Sequence, residues 1–174
     1  MSKYKGGTGM AAKVVIETAN EVHDVLEFVF GGNAEFTIAN MNTGKGCKYK
    51  IRQCKDNKKL FFVRVKDGSE WEYAGFITKE DDGRLHYKQG NKGTRPFEDV
   101  DIKGLSYAIV KGRNSELPHP MIMMHHGRCA CCGKKLDDAV SVSRGFGPVC
   151  WDRLQARKLK DEGWQEVTEE VPFH

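Results

Sequence analysis

The chain has 174 residues, of which 39% are hydrophobic and 30% charged, and its formal net charge is +4. This length suits one domain or two small ones. The sequence contains neither the run of about eighteen apolar residues that spans a membrane nor an apolar leader at its start. We therefore expect a cytoplasmic protein that does not enter membranes, in which the six cysteines indicate metal binding before disulfides.

The first part of the chain predicts a flexible N-terminus followed by a helix. Residues 1–12 are rich in Gly and Lys and are expected to be flexible. Residues 18–21 read as a capping box, and the valines and leucine that follow recur at helical spacing. The pattern predicts a helix over residues 19–30 that ends at Gly31 and Gly32.

The middle of the chain alternates between apolar and polar residues, which is typical of half-buried strands. Five such segments predict an antiparallel sheet of four or five strands: residues 35–40, 48–54, 60–66, 71–78 and 84–88. An apolar segment at residues 105–110 predicts a second helix that ends at Gly112. The sequence therefore predicts an α+β domain over residues 13–117, an antiparallel sheet with packed helices.

Metal-ligand residue types are concentrated between residues 125 and 150. Cys129 and Cys132 form a Cys-x-x-Cys pair, Cys150 lies eighteen residues further on, and His125 precedes the pair. One histidine and three thiolates complete a tetrahedral zinc shell. His126 remains an alternative to His125, whereas Cys131 is left out because a 129/131 pair is too close for a knuckle.

The predicted zinc-binding module spans residues 118–160 and leads into an acidic tail over residues 161–174. A knuckle, a hairpin over residues 136–142 and a helix over residues 152–160 would make a treble-clef-like finger. Four protein ligands close the metal shell, so we expect a structural zinc rather than a catalytic one. No familiar catalytic constellation assembles, so we predict no enzyme, and a small metalloenzyme is the least favoured alternative.

Basic residues recur on the predicted strands. If residues 48–52 pair with residues 60–66, one face carries an aromatic ring among cations: Lys48, Lys50, Arg52, Phe62, Arg64 and Lys66. Single-strand binders combine phosphate contacts and stacking platforms in this way. The alternative is a solvated outer face on which lysines protect the sheet.

A second basic cluster lies in the predicted finger. Its members are Arg128, Lys134, Lys135, Arg144, Arg153 and Arg157, interleaved with Phe146 and Trp151. Such residues can contact a nucleic-acid backbone. Ordinary surface charge, with Trp151 in the small core of the finger, is the competing interpretation.

The metal segment resembles a group of uncharacterised bacteriophage and prophage proteins. Their pattern, H-x-G-R-C-x-x-C-G-[RK]-x-L…S…G-[FI]-G-P-x-C, is matched from His125 to Cys150. The stretch over residues 31–52 is similar to theirs as well, and the resemblance covers about residues 22–152. It implies a phage origin, hence the bacterial host cytoplasm, and a structural zinc with His125 as the ligand. The chain departs from the pattern at Lys134, where arginine is usual, and in the longer extension after Trp151.

These patterns lead to two functional hypotheses. The first is a phage-encoded, non-enzymatic accessory protein that binds DNA or RNA through its basic and aromatic surfaces. The second is a phage inhibitor that binds a host protein, such as a defence nuclease or a polymerase. The identity of the partner and the oligomeric state are left open.

Overall fold

An antiparallel sheet of seven strands organises the molecule, and the computed structural model describes residues 12–113 and 116–160. The strand order is β6-β5-β4-β3-β2-β7, and β1 pairs with β3 beside this path. The strands are β1 (Ala12–Lys13), β2 (Asn33–Asn40), β3 (Lys45–Gln53), β4 (Leu60–Asp67), β5 (Glu70–Lys79), β6 (Leu85–Lys88) and β7 (Met121–His125). The helices are α1 (Val25–Val29), α2 (Val100–Lys111), α3 (Ala139–Arg144) and α4 (Pro148–Lys160).

The inner face of the sheet carries the core. Alternate residues of the central strands are fully buried there, among them Phe36, Tyr49 and Val63. Helix α2 covers this face, and the Tyr49 hydroxyl donates a hydrogen bond of 2.7 Å to the Asp101 carbonyl. The period-two pattern of the sequence thus predicted five of the seven strands, all but β1 and β7, and the α+β architecture is confirmed.

The predicted helix over residues 19–30 is wrong in extent. The structure has a 3₁₀ helix at Thr18–Asn20, then extended backbone, then α1 with Asp24 as its N-cap. The Val22 amide donates to the Met123 carbonyl at 2.8 Å, and Glu21 forms a bridge to Met124. A helical turn cannot form at Glu21 and Val22 because their backbone pairs with strand β7 instead.

Strand β7 forms the edge of the sheet beside β2. Residues 121–125 pair with β2 over their whole length, although the sequence placed them in a separate module beginning at residue 118. Four of the five residues are buried, so both faces of the strand are covered. The segment therefore lacks the alternation by which half-buried strands are recognised.

The outer face of the sheet is only partly covered. Near β7, Val14 and Ile16, which follow β1, pack against a small buried cluster of Ala39, Ile122 and Met124. The outer side chains of β3, β4 and β5 are half-buried or exposed. One face of the sheet thus packs on helices, while the described residues leave much of the other face uncovered.

A buried arginine fixes the loop between β6 and α2. Arg95 is 4% exposed, and its guanidinium lies 2.6 Å from Asp101, 3.1 Å from Glu72 and 3.4 Å from Asp99. The carboxylate of Asp99 also caps α2 by accepting from two backbone amides. These contacts tie the loop, strand β5 and helix α2 together.

No helix within the described ranges has both the length and the apolar character needed to cross a bilayer. The predicted acidic tail over residues 161–174 and the first eleven residues of the predicted flexible N-terminus lie outside those ranges.

Candidate functional site

Three cysteine thiols converge beside the end of the sheet. The sulfur atoms of Cys129, Cys132 and Cys150 lie within 4.8 Å of one another, and all three thiols are free. A tetrahedral metal with metal–sulfur bonds of about 2.3 Å holds its sulfur ligands about 3.8 Å apart. The three sulfurs are therefore close enough together to hold one metal ion.

The local fold of the first two cysteines is a knuckle. The Cys129 amide donates to the Lys134 carbonyl at 2.8 Å, and the Gly133 amide donates to the Cys129 carbonyl at 2.9 Å. Gly133 has a φ of +76°, a conformation that side-chain-bearing residues rarely adopt. Glycine at this position therefore lets the chain reverse tightly enough for both sulfurs to face the same point.

Backbone amides prepare the Cys129 sulfur for a metal. Burial acts to raise the pKa of the Cys129 thiol, but N–H groups of Cys132, Gly147 and Cys131 donate to the sulfur and bring the pKa below its ordinary value. The thiolate is the form that binds metal. The Cys131 amide lies 3.4 Å from this sulfur.

Cys150 enters the cluster from the first turn of α4. Burial raises the pKa of its thiol to about 12, and hydrogen bonds with the thiols of Cys132 and Cys129 add to the effect. The thiol therefore stays protonated at neutral pH in the metal-free protein. A bound cation would displace this proton, as metals do at thiol ligands.

Neither candidate histidine lies in the cluster. His125 is buried, with its Nδ1 accepting from the Gly127 amide at 2.9 Å and its Nε2 donating to the Val142 carbonyl at 2.6 Å. His126 contacts Thr37 at 2.7 Å and Glu35 at 3.1 Å. A metal bond from either ring would have to replace one of these hydrogen bonds.

The segment between the knuckle and Cys150 differs from the prediction. A hairpin was expected over residues 136–142, but helix α3 lies at Ala139–Arg144, capped by Asp138, which accepts from the Ser141 amide at 2.9 Å. An Asp followed by four residues without Gly or Pro favours a helical turn over a hairpin. The described residues 136–144 therefore do not form the hairpin of a treble clef.

The knuckle docks directly on the sheet. The Asn33 amide at the start of β2 donates to the Ala130 carbonyl at 2.6 Å, and the ring of His125 stacks on Phe28 of α1 at 5.9 Å. Cys129, Phe146 and Cys150 belong to the same buried cluster as the inner face of the sheet. The metal segment and the sheet thus share one core.

A groove of about 740 Å³ lies on the uncovered outer face of the sheet. Its described lining brings together four cations, Lys50, Arg52, Arg64 and Lys92, and four aromatic rings, Phe62, Trp71, Tyr73 and Phe76. The lining residues include no carboxylate. Such a lining suits an anionic ligand that carries flat rings.

Most cations of this face keep their charge unpaired. Lys50 lies 4.0 Å from Glu35. Within residues 12–113 and 116–160, no carboxylate lies within 4.0 Å of the other basic groups, which are Lys48, Arg52, Arg64, Lys66 and Lys92. Away from the groove, Lys59 and Arg84 are paired with Asp81 and Asp82. The groove is therefore a local concentration of positive charge.

The predicted basic residues divide into two groups. Strand pairing places Lys50 opposite Arg64 and Arg52 opposite Phe62, so the sheet residues of the prediction share the outer face. The described lining of the groove contains none of the finger residues. Among the latter, Arg144 stacks on Trp151 at 4.7 Å and Arg128 donates to the Gly133 carbonyl at 3.2 Å, so both also serve the fold of the finger.

Sequence reasoning identified four of the eight cations and aromatic rings that line the groove and missed the other four. Trp71 and Tyr73 are two residues apart on β5, a spacing that would have assigned them to one face. Phe76 joins them only because the register of β4 and β5 shifts between Val63 and Arg64, a bulge that sequence alternation does not reveal. Lys92 comes from the loop after β6.

Residues 124–155 match the model of a family described as a family of unknown function (DUF6011). The matched segment runs from the end of β7 through the knuckle and α3 into α4, so it contains all three clustered cysteines. No curated protein and no solved structure matches the chain. This segment of the chain is thus similar to that family at its candidate metal centre.

Proposed function

We propose that the chain is a phage-encoded, non-enzymatic accessory protein that binds nucleic acid on the outer face of its sheet and is stabilised by a structural zinc ion. The observation that carries this proposal is the groove in which cations, all but Lys50 without an ion-pair partner among the described residues, surround aromatic rings. The phage origin and the host cytoplasm rest on the sequence pattern from His125 to Cys150.

The chemistry of the groove supports a nucleic-acid ligand. Lysine and arginine that neutralise phosphates release condensed counterions, which supplies much of the affinity for nucleic acid. Arg64 lies 5.9 Å from the ring of Tyr73, and Lys50 lies 4.2 Å from the ring of Trp71, so charge and ring alternate over short distances. Aromatic rings beside cations give this face both a stacking surface for bases and contacts for phosphates.

The thiol cluster supports zinc as the metal. Thiolates are soft ligands that select zinc among the divalent ions common in proteins. Two of the three thiols, those of Cys129 and Cys150, share their core with Ala130, Leu136 and Phe146, so a bound ion would stabilise the packing between knuckle and sheet. We assign this ion a structural role because two of its ligands, Cys129 and Cys150, are buried in this core. Its fourth ligand would be water, or His125 after the ring gives up one of its hydrogen bonds.

Salt-dependent binding tests the proposal. Fluorescence anisotropy with labelled DNA and RNA should show an affinity that falls linearly on a log–log plot against salt concentration. Absence of binding at low salt, or an affinity that ignores ionic strength, would reject nucleic acid as the ligand. Metal analysis of the purified protein should give one zinc per chain.

The inhibitor hypothesis would use the same cationic face against an acidic protein surface. A pull-down from host lysate separates the two proposals. A stoichiometric protein partner that survives nuclease treatment supports inhibition, whereas nucleic acid that co-purifies and disappears with nuclease supports the first proposal.

A further inference from the structure

We infer that the ligand of the outer-face groove is a single strand of nucleic acid, held with its bases on the aromatic rings and its phosphates on the flanking cations. This inference rests on the proposed function and names the substrate class of the same site. Three features of the groove carry it, namely its rings, the spacing of its cations and its shape.

The rings form a compact platform. Phe62 and Phe76 occupy opposite positions on β4 and β5, and the Phe62 ring meets that of Tyr73 edge-on at 6.1 Å. All three are only half-buried. An unpaired base can stack on such a surface, but the faces of bases inside a duplex are already occupied by their neighbours. Unpaired bases therefore gain the most from this groove.

The basic residues form a row beside this platform. Lys48, Lys50 and Arg52 alternate along the outer face of β3, which spaces them about 7 Å apart. The row can therefore neutralise successive phosphates of one strand whose bases lie on the rings.

The walls of the groove limit what can enter. Residues 90–92 form one wall, with Gly90 so close to Phe76 that an added Cβ would lie 2.9 Å from its ring. The other end of the groove is formed by Asn33, which lies against the knuckle. A Cβ added to Gly133 would lie 2.6 Å from the side-chain nitrogen of Asn33. The volume of about 740 Å³ is within the range of small-ligand pockets, which suits individual bases of a strand.

Matched oligonucleotides test the inference. Anisotropy of a labelled single strand and of the same strand in a duplex, for both DNA and RNA, gives the preference directly. A nucleoside monophosphate serves as competitor, because a free nucleotide offers the same base and phosphate as one unit of a strand. We expect the single strand to bind at least about tenfold more tightly than the duplex and the monophosphate to compete only weakly.

Two double variants separate stacking from charge. F62L/F76L keeps the apolar volume but removes two rings, and should weaken single-strand binding about 5- to 150-fold. R52Q/R64Q should lower the slope of log affinity against log salt by about 1.4. The matched controls lie on α2, across the sheet: Y107L removes an exposed ring, and K103Q/K111Q removes two exposed charges. Both controls should bind as the native protein does.

The outcomes distinguish this inference from the proposed function. Equal or tighter binding of the duplex, or unchanged single-strand affinity in F62L/F76L with native melting temperature, overturns the single-strand inference and leaves nucleic-acid binding intact. Efficient competition by the monophosphate overturns it in favour of a free nucleotide. Failure of every nucleic acid to bind at low salt overturns both.

Discussion

His125 is held in the core by its two ring nitrogens, one accepting from the Gly127 amide and one donating to the Val142 carbonyl. A neutral imidazole provides one donor and one acceptor, so both capacities are used. The position of this histidine before the knuckle therefore has a structural explanation that needs no metal bond. It fastens β7 to the turn after it and to α3.

We expect H125Q to keep its zinc while losing stability. The donor and acceptor of a glutamine amide branch from one carbon, whereas the two nitrogens of the His125 ring point in different directions. We therefore expect one backbone partner to stay unsatisfied in H125Q, which costs about 1–3 kcal/mol when the group is buried. C132S should instead lose the metal, because it removes one of the three clustered thiols. Zinc content and the absorption of the cobalt-substituted protein report the ligands. H126Q is the matched control, and a folded H125Q protein without metal would identify His125 as a ligand.

Arg95 is the second residue whose removal should be severe. Its side chain is 5% exposed and lies against Asp99 and Asp101, both fully buried. R95M would leave these carboxylates without their cation, and breaking a buried ion pair from one side costs about 3–5 kcal/mol. Urea unfolding measures the loss. R84M, which breaks an exposed pair with Asp82, should change the midpoint little, and equal effects would contradict the proposed role of burial.

At the scale of elements, the contact between the knuckle and the start of β2 joins the metal centre to the sheet. Gly31 precedes β2 and packs against Ala130 of the knuckle, where an added Cβ would lie 2.9 Å from the Ala130 carbonyl oxygen. Backbone atoms on both sides cannot yield as a flexible side chain can. The absence of a side chain at Gly31 thus permits the docking.

We expect G31A to separate the knuckle from the sheet, lowering stability by about 1–3 kcal/mol and weakening zinc binding. G147A is the matched control because an added Cβ there meets no atom within 4 Å, and its amide, which donates to Cys129, is retained. Thermal unfolding and competition with a zinc chelator measure the two effects. Equal behaviour of the two variants would show that the docking contact is unimportant.

At the scale of the whole molecule, one core extends from the helices under the sheet to the cysteine cluster. Val25 and Phe28 of α1, Tyr49 of the sheet and Cys129 of the knuckle all belong to it. A finger that folded separately would have its own core and would melt by itself. The shared core predicts a single cooperative unit.

Removal of the metal should therefore destabilise the entire protein in one transition. Each kcal/mol shifts the melting temperature by about 2–4 °C at this chain length, and a structural zinc contributes several, so we expect a decrease of roughly 10 °C or more with a chelator. Calorimetry of C54S, which lacks a thiol outside the cluster, should match the native protein. Two separate transitions would contradict the single unit.

Sequence patterns that depend on neighbours along the chain predicted well. Alternation in residues 60–66 placed Phe61 and Val65 in the core and Arg64 outside, because a strand turns successive side chains to opposite faces. The Cys-x-x-Cys-Gly spacing likewise predicted that two thiols lie on one knuckle, because the geometry of a tight turn depends on residues that are adjacent in sequence.

Tertiary structure decided what depends on distant partners. The helix expected over residues 19–30 is interrupted because Val22 pairs with Met123, about a hundred residues away in sequence. The apolar run of β7 becomes a strand only when β2 lies beside it, and His125 finds its partners only once α3 is packed against it. Phe76 reaches the groove through a bulge. Local periodicity carries no information about such pairings, because their free energy comes from surfaces that meet only after the chain has folded.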